Sequence, residues 1–166
     1  MPTGKDLHEQ LSWAWEAQLR PRLDGLTDEE LHWEPVAGCW SVRDGRLEGC
    51  WPTPTPAPFT TIAWRLGHLG VTLAERASAH FGDRSWVTSC PDTAQELLGF
   101  VDAAYSAWAS GIAGADAARF QRPHQGPPGT TDERHPFWAV VLHVNREVLH
   151  HGAEVALLRD LYRHRG

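Results

Sequence analysis

Apolar residues in this chain recur at steps of three and four, and no stretch sustains the two-residue alternation of a half-buried strand. That pattern excludes sandwiches, barrels and doubly wound sheets, and leaves helices packed on helices. The helices carry their own start signals. Thr3 with Asp6 reads as a capping box. It opens a first helix with Leu7, Leu11, Trp15 and Leu19 on one face. Pro21, which lacks an N–H and crowds the preceding turn, stops or kinks that helix. Thr27 with Glu30 is a second capping box, for a short turn ending near Leu31.

From about Glu34 to Phe59 the chain is irregular. Its WPTPTPAPF run, Trp51 to Phe59, places proline at every second position. Such a run favours extended polyproline II and cannot donate to a sheet interior. A loop of this length in a small domain is functional or covers something. A second helix is expected from Thr60, with Phe59 and Trp64 at the spacing of a hydrophobic staple. Ile62, Leu66, Leu69 and Leu73 form its stripe, and Gly82 ends it. Thr93 with Glu96 opens a third helix, with Leu97, Val101, Tyr105, Trp108 and Ile112, ending near Gly114. Ala115 to Glu133 reads as a second long loop. Pro136 suits the first turn of a fourth helix running to Arg163. Arg159, Arg163 and Arg165 at its end complement the helix dipole. The expected fold is therefore all-α, a four-helix bundle without strands. Its long loops follow helix 1 and precede helix 4, and residues 1–166 form one domain.

Charge and cysteine content narrow the function. Fifteen Lys and Arg against 21 Asp and Glu give −6, which argues against an extended nucleic-acid surface. No apolar run is long enough for a membrane span. The opening MPTGKDLHEQ lacks the apolar core of a signal peptide, so a cytoplasmic protein is expected. Cys39, Cys50 and Cys90 are odd in number and contain no CxxC pair. They imply reduced thiols, no disulfide framework and no cysteine-based zinc site. Nine Trp and ten His are the unusual content. The tryptophans are expected mostly in the core, with the remainder available to wall an apolar pocket.

The fourth helix carries chemistry. With Glu147 at zero and about 100° per residue, Val140, Val144, His151, Val155, Leu158 and Tyr162 fall within about 80° of it. Glu147 and His151 are thus expected in the middle of the apolar face, one turn apart. Two readings remain open there. The pair is a buried Glu–His hydrogen bond that locks the bundle, or it offers an O and an N ligand to one cation. His143 and Glu154, one turn to either side, are alternative ligands or partners of the ligands. His150 is rotated away. In the second helix His68 lies between Gly67 and Gly70, but the wheel sets it off the Leu66–Leu69–Leu73 stripe, the position of a solvent-facing residue. His80 is a weaker candidate. His8, His32, His124, His135 and His164 read as surface. No phosphate-binding glycine loop and no GxSxG elbow is present.

Three segments together resemble the DinB-like superfamily, and within it the branch of mycothiol-dependent maleylpyruvate isomerase. They are Trp40-Ser41-Val42, AWRLGHL (Ala63 to Leu69) and HVNREVLHHGAEVALLRDLY (His143 to Tyr162). The resemblance implies a DinB-like four-helix bundle. Many members use three histidines, two of them four apart on the last helix, where this chain has Glu147 at the earlier position. The isomerase branch uses His, Glu and His, which by carry-over names His68, Glu147 and His151 as metal ligands. Two nitrogens and a carboxylate imply a catalytic site for a divalent cation: zinc first, with nickel, iron or manganese as alternatives. The branch implies mycothiol or another low-molecular-weight thiol as co-substrate, a small-molecule substrate and a homodimer. The activity expected is that of a thiol-dependent transferase or isomerase. The alternatives are a metal-binding stress or detoxification protein without turnover, and a metal-free helical interaction module. The Trp51–Pro58 insertion departs from the shorter members and is positioned in sequence to cover the site mouth.

Overall fold

The computed structural model of the protein describes residues 3–123 and 135–166. It is mostly helical, as expected of the all-α class, with one small two-stranded sheet. Thr3 caps α1 (Gly4–Ser12) in a complete capping box: its hydroxyl accepts the Asp6 N–H, and the Asp6 carboxylate accepts the Thr3 N–H at 2.7 Å. The helix changes type twice before it ends. It widens into a π-helical stretch, Trp13–Leu19, then tightens into a 3-10 turn, Arg20–Leu23, in which Pro21 sits in the first turn where no N–H is needed. Leu7, Leu11, Trp15, Leu19 and Leu23 are all buried. A strict step of four drifts across an α-helix of 3.6 residues per turn, and the wider π turn takes up that drift.

After α2 (Asp28–Leu31), capped by Thr27, comes an element that the sequence pattern excluded. Strands β1 (Val42–Arg43) and β2 (Arg46–Leu47) pair antiparallel, Val42 opposite Leu47. Asp44 and Gly45 turn between them at φ 50° and 72°. Two-residue strands are too short to show alternation, but Asp-Gly is the signature of this turn. The run from Trp51 to Pro58 departs from one extended helix. It bends at 51–52 and at 55–56, where the X–Pro bonds are cis, and Trp51 is 93% exposed, so its side chain covers no site.

Helix α3 (Ile62–Phe81) is capped by Thr61, one residue later than expected. Phe59 and Trp64 therefore miss staple register, and Phe59 instead lies under the Arg65 guanidinium at 5.5 Å. Helix α4 (Ala94–Ala113) is capped by Thr93. Part of the expected second loop is the short helix α5 (Ala117–Gln121), capped by the Asp116 side chain and anchored by buried Phe120. The rest of that loop, with His124 and Gly126 to Gly129, lies outside the described residues. Pro136 is the N-cap of α6 (Phe137–Arg163) rather than a first-turn residue.

The long helices pack α3 against α4 and α6, and α1 with its π extension against α4 and α6. Leu66, Leu69 and Leu73 meet Leu97, Val101 and Trp108, with Val141, Val144 and Val155 closing the core. Only Trp15 and Trp108 among the tryptophans are buried, which corrects the expectation that most would be core. Trp13, Trp51 and Trp86 are exposed, and the other four are half-buried. Arg159 also departs from its expected role at the helix end. It is 1% exposed and forks onto the buried Glu30 carboxylate at 2.7 and 2.9 Å. The three cysteines are free thiols.

Candidate metal centre

Two glycines decide how α3 presents His68. A Cβ on Gly67 would stand 2.8 Å from Cys90 Sγ and 3.1 Å from Leu47 and Val42, so the hairpin lies directly on the helix there. A Cβ on Gly70 would stand 2.6 Å from the Phe100 ring, so α4 closes in on that side. His68 projects from the remaining edge toward α6. It is off the apolar stripe, as the helical wheel indicates, yet half-buried against a neighbour rather than turned to solvent. Trp64, one turn earlier, stacks on its ring at 5.2 Å and 7°. The Trp64 indole is itself fixed, donating from Nε1 to the Glu48 carbonyl at 2.8 Å. The Trp40 indole stacks beyond it at 6.5 Å.

On α6 the buried face is Val141, Val144, Val148, Gly152 and Val155. Glu147 and His151 lie on its flank, not in its middle. The wheel drawn about Glu147 collected only one side of the stripe; at about 100° per residue the face centres some 60–100° away. This flank faces His68. The structure brings the three expected residues together: His68 Nε2 is 3.6 Å and His151 Nε2 is 3.3 Å from Glu147 Oε2. The two imidazole rings meet edge to face at 4.9 Å. One ligand atom from each of the three lies within 4.8 Å of the others. Side-chain exposures are 36% for His68, 17% for Glu147 and 12% for His151. Among the described residues the Glu147 carboxylate has four basic neighbours, His151 at 3.3 Å, His68 and His143 each at 3.6 Å and Arg146 at 3.8 Å. The 3.3 Å approach of His151 Nε2 to Glu147 suits both readings of the pair, the structural contact and the cation site.

A cation fits this donor set. Two imidazole nitrogens and a carboxylate oxygen suit zinc and its borderline relatives. Burial pushes the His68 imidazole below its usual range, and neighbouring His151 adds to this, against the opposing pull of Glu147. The neutral form thus favoured is the one that donates a lone pair.

The flanking candidates separate clearly. Glu154 accepts from His151 Nδ1 at 2.8 Å and is held in turn by Arg65. His143 Nδ1 is 3.6 Å from the other Glu147 oxygen and accepts from Arg146 at 2.7 Å. His150 is exposed, as expected, with Nε2 3.3 Å from Glu154. Glu154, His150 and His151 form a second group of possible donors sharing His151. His80 is remote, packed against Phe137 at 4.8 Å and Trp108 at 6.1 Å. His135 and His164 are exposed, but His32 is not the surface residue expected: its ring nitrogens reach Ser41 Oγ at 3.2 Å and the Asp92 carbonyl at 2.6 Å. His8 is half-buried. The two buried thiols are poor nucleophiles: burial pushes Cys90 up to about 11 and raises Cys39.

Two residues beside the centre have no site role in the sequence reading: Trp64, expected only as a staple, and Arg65. Trp64 precedes His68 by one turn, which is a same-face spacing. Arg65 is a charge among the apolar residues opening α3, and such a charge needs a buried partner.

Among the described residues, no helix is long and apolar enough to cross a membrane. No curated protein and no solved structure matches the chain. A family model for the DinB superfamily matches residues 10–155, a span that includes His68, Glu147 and His151, and the chain belongs to the DinB superfamily.

Proposed function

We propose that His68, Glu147 and His151 hold a divalent cation, zinc by preference, and that the protein is a thiol-dependent transferase or isomerase. The four long helices are read as the four-helix bundle of the superfamily, with the site at the α3–α6 seam and the protein acting in the cytoplasm as a homodimer. The observation that carries the reading is the Glu147 carboxylate, whose Oε2 faces an imidazole nitrogen from each of two helices, His151 at 3.3 Å and His68 at 3.6 Å. A cation held there supplies Lewis acidity and draws a thiol toward its thiolate at neutral pH. The chain's own residues do the rest. His68 and His151 approach from different helices, so the site forms only when the helices are packed. Trp64 fixes the His68 ring plane and, with Trp40, gives the site an aromatic side. The 36% exposure of His68 leaves the seam open to a small molecule. Among thiols, mycothiol or a similar low-molecular-weight thiol is the proposed co-substrate, as the family resemblance implies, and no cysteine belongs to the cluster.

Metal analysis of purified protein, followed by a screen of mycothiol and other small thiols against electrophiles, tests the proposal. The expected result is bound zinc and metal-dependent consumption of thiol. Bound metal without turnover leaves a metal-binding protein of another role; no metal with any divalent cation overturns the reading.

A further inference from the structure

His151 belongs to two groups of donors at once. Its Nε2 faces Glu147 and His68, and its Nδ1 faces Glu154, beside exposed His150. An imidazole that ligates through one nitrogen must carry its proton on the other, and the partner of that proton sets both tautomer and ring orientation. Glu154 is such a partner, at 2.8 Å from Nδ1. Its Oε2 is engaged twice, while Oε1 faces His150 at 3.3 Å. Arg65 reaches across from α3, with its side chain only 11% exposed, and pairs with the same Glu154 oxygen. Phe59 lies against the guanidinium at 5.5 Å, and Arg65 Nε is buried without a hydrogen-bond partner. Arg65 is thus committed to Glu154.

We infer that Glu154 and Arg65 are positioning residues for His151. Glu154 accepts the Nδ1 proton and turns the Nε2 lone pair toward His68 and Glu147. Arg65 holds Glu154 in that orientation and keeps it from joining His150 as a ligand. The inference rests on the metal reading for its consequence, but the tautomer it assigns is a property of the metal-free protein as well. Without Glu154, the proton is expected on Nε2, where Glu147 Oε2 lies 3.3 Å away. The nitrogen needed by the cation would then be blocked.

Long-range proton–nitrogen correlation spectra of the metal-free protein, taken where His151 is neutral, read the tautomer directly. The parent should carry its proton on Nδ1, Glu154→Ala on Nε2, and Glu154→Gln again on Nδ1, since the amide oxygen still accepts. Zinc titrations of the same proteins should show Glu154→Ala weaker by about 10–100-fold, with Glu154→Gln and His150→Ala near the parent. Arg65→Ala should lose affinity and Arg65→Lys recover part of it, with circular dichroism confirming that each variant is folded. An unchanged tautomer in Glu154→Ala overturns the inference, as does an Arg65→Ala protein equal to the parent in both readouts. Loss of zinc in His150→Ala also overturns it, because the outer group would then be the site. If the parent binds no zinc, the metal reading fails while the spectra still decide the role of Glu154.

Discussion

Helix α6 buries charge twice, and the two places are built differently. Near its end Arg159 meets Glu30 with side chains 2% and 5% exposed. The fork is closed: two nitrogens bond the carboxylate, and the remaining one donates to the carbonyls of Arg22 and Asp24. Two to three turns earlier, Glu147 lies 3.3 Å from His151 and 3.6 Å from His68, longer contacts than those of the Arg159 fork. Burying ions costs several kcal/mol each unless their bonding is completed inside. The first place is completed by the protein, and ties α2 and the 3-10 turn to α6. The second is held by longer contacts, with the His68 side chain 36% exposed. The first pair is architecture; the second, looser and nearer the surface, is where the proposed cation would sit.

The largest test of this contrast is stability. Arg159→Met leaves Glu30 buried without a counter-charge and should cost about 3–5 kcal/mol in chemical denaturation. Replacing both partners with methionine should recover most of that loss. Glu147→Gln, in metal-free protein, should change stability by less than about 1 kcal/mol, because its partners are partly exposed and loosely held. Equal losses at the two places would break the comparison. A middle-sized effect is expected at Gly67→Ala, where the new methyl group meets Cys90, Leu47 and Val42. A loss of about 1–3 kcal/mol in the denaturation midpoint should result, through displacement of the hairpin rather than of His68.

How far these features could be read from sequence follows from their length scale. Caps and stripes are local, so Thr3, Thr27 and Thr93 open helices where expected, and α3 and α6 lie within a residue or two of their expected bounds. The hairpin was missed because two-residue strands have no period, although Asp44-Gly45 announced the turn. Pro21 stands where the helix changes type, since a proline that ends one helix opens a 3-10 turn equally well. The role of Arg159 was invisible, since its partner Glu30 lies on a separate element distant in sequence. His68, Glu147 and His151 were legible as a set through the family resemblance. Their place on the seam was not, because a wheel centred on a polar residue finds only the neighbours on its own side. Arg65 shows the same limit: nothing near it in the chain says that it faces Glu154.

The smallest effect concerns protons. Burial holds the folded-state pKa of His68 below its ordinary value. In metal-free protein the unfolded chain therefore binds more protons as pH falls below about 6.5. Stability is fully present above that value and is lost as pH falls toward the folded-state pKa. His68→Gln should flatten this part of the pH–stability curve, measured by urea denaturation at several pH values. A steeper curve in the variant would mean that His68 is stabilised in its charged form by Glu147 and is no ready ligand.

Zinc titration by calorimetry, read beside the thermal midpoint with and without chelator, tests the central claim most directly. The account predicts one zinc per chain and a raised midpoint, worth about 2.7 kcal/mol when free zinc is 100 times Kd. It predicts that His68→Ala, Glu147→Ala and His151→Ala each lose tight binding, while His80→Ala keeps it. A parent protein that binds no divalent cation, or a Glu147→Ala protein that binds zinc as the parent does, would contradict it.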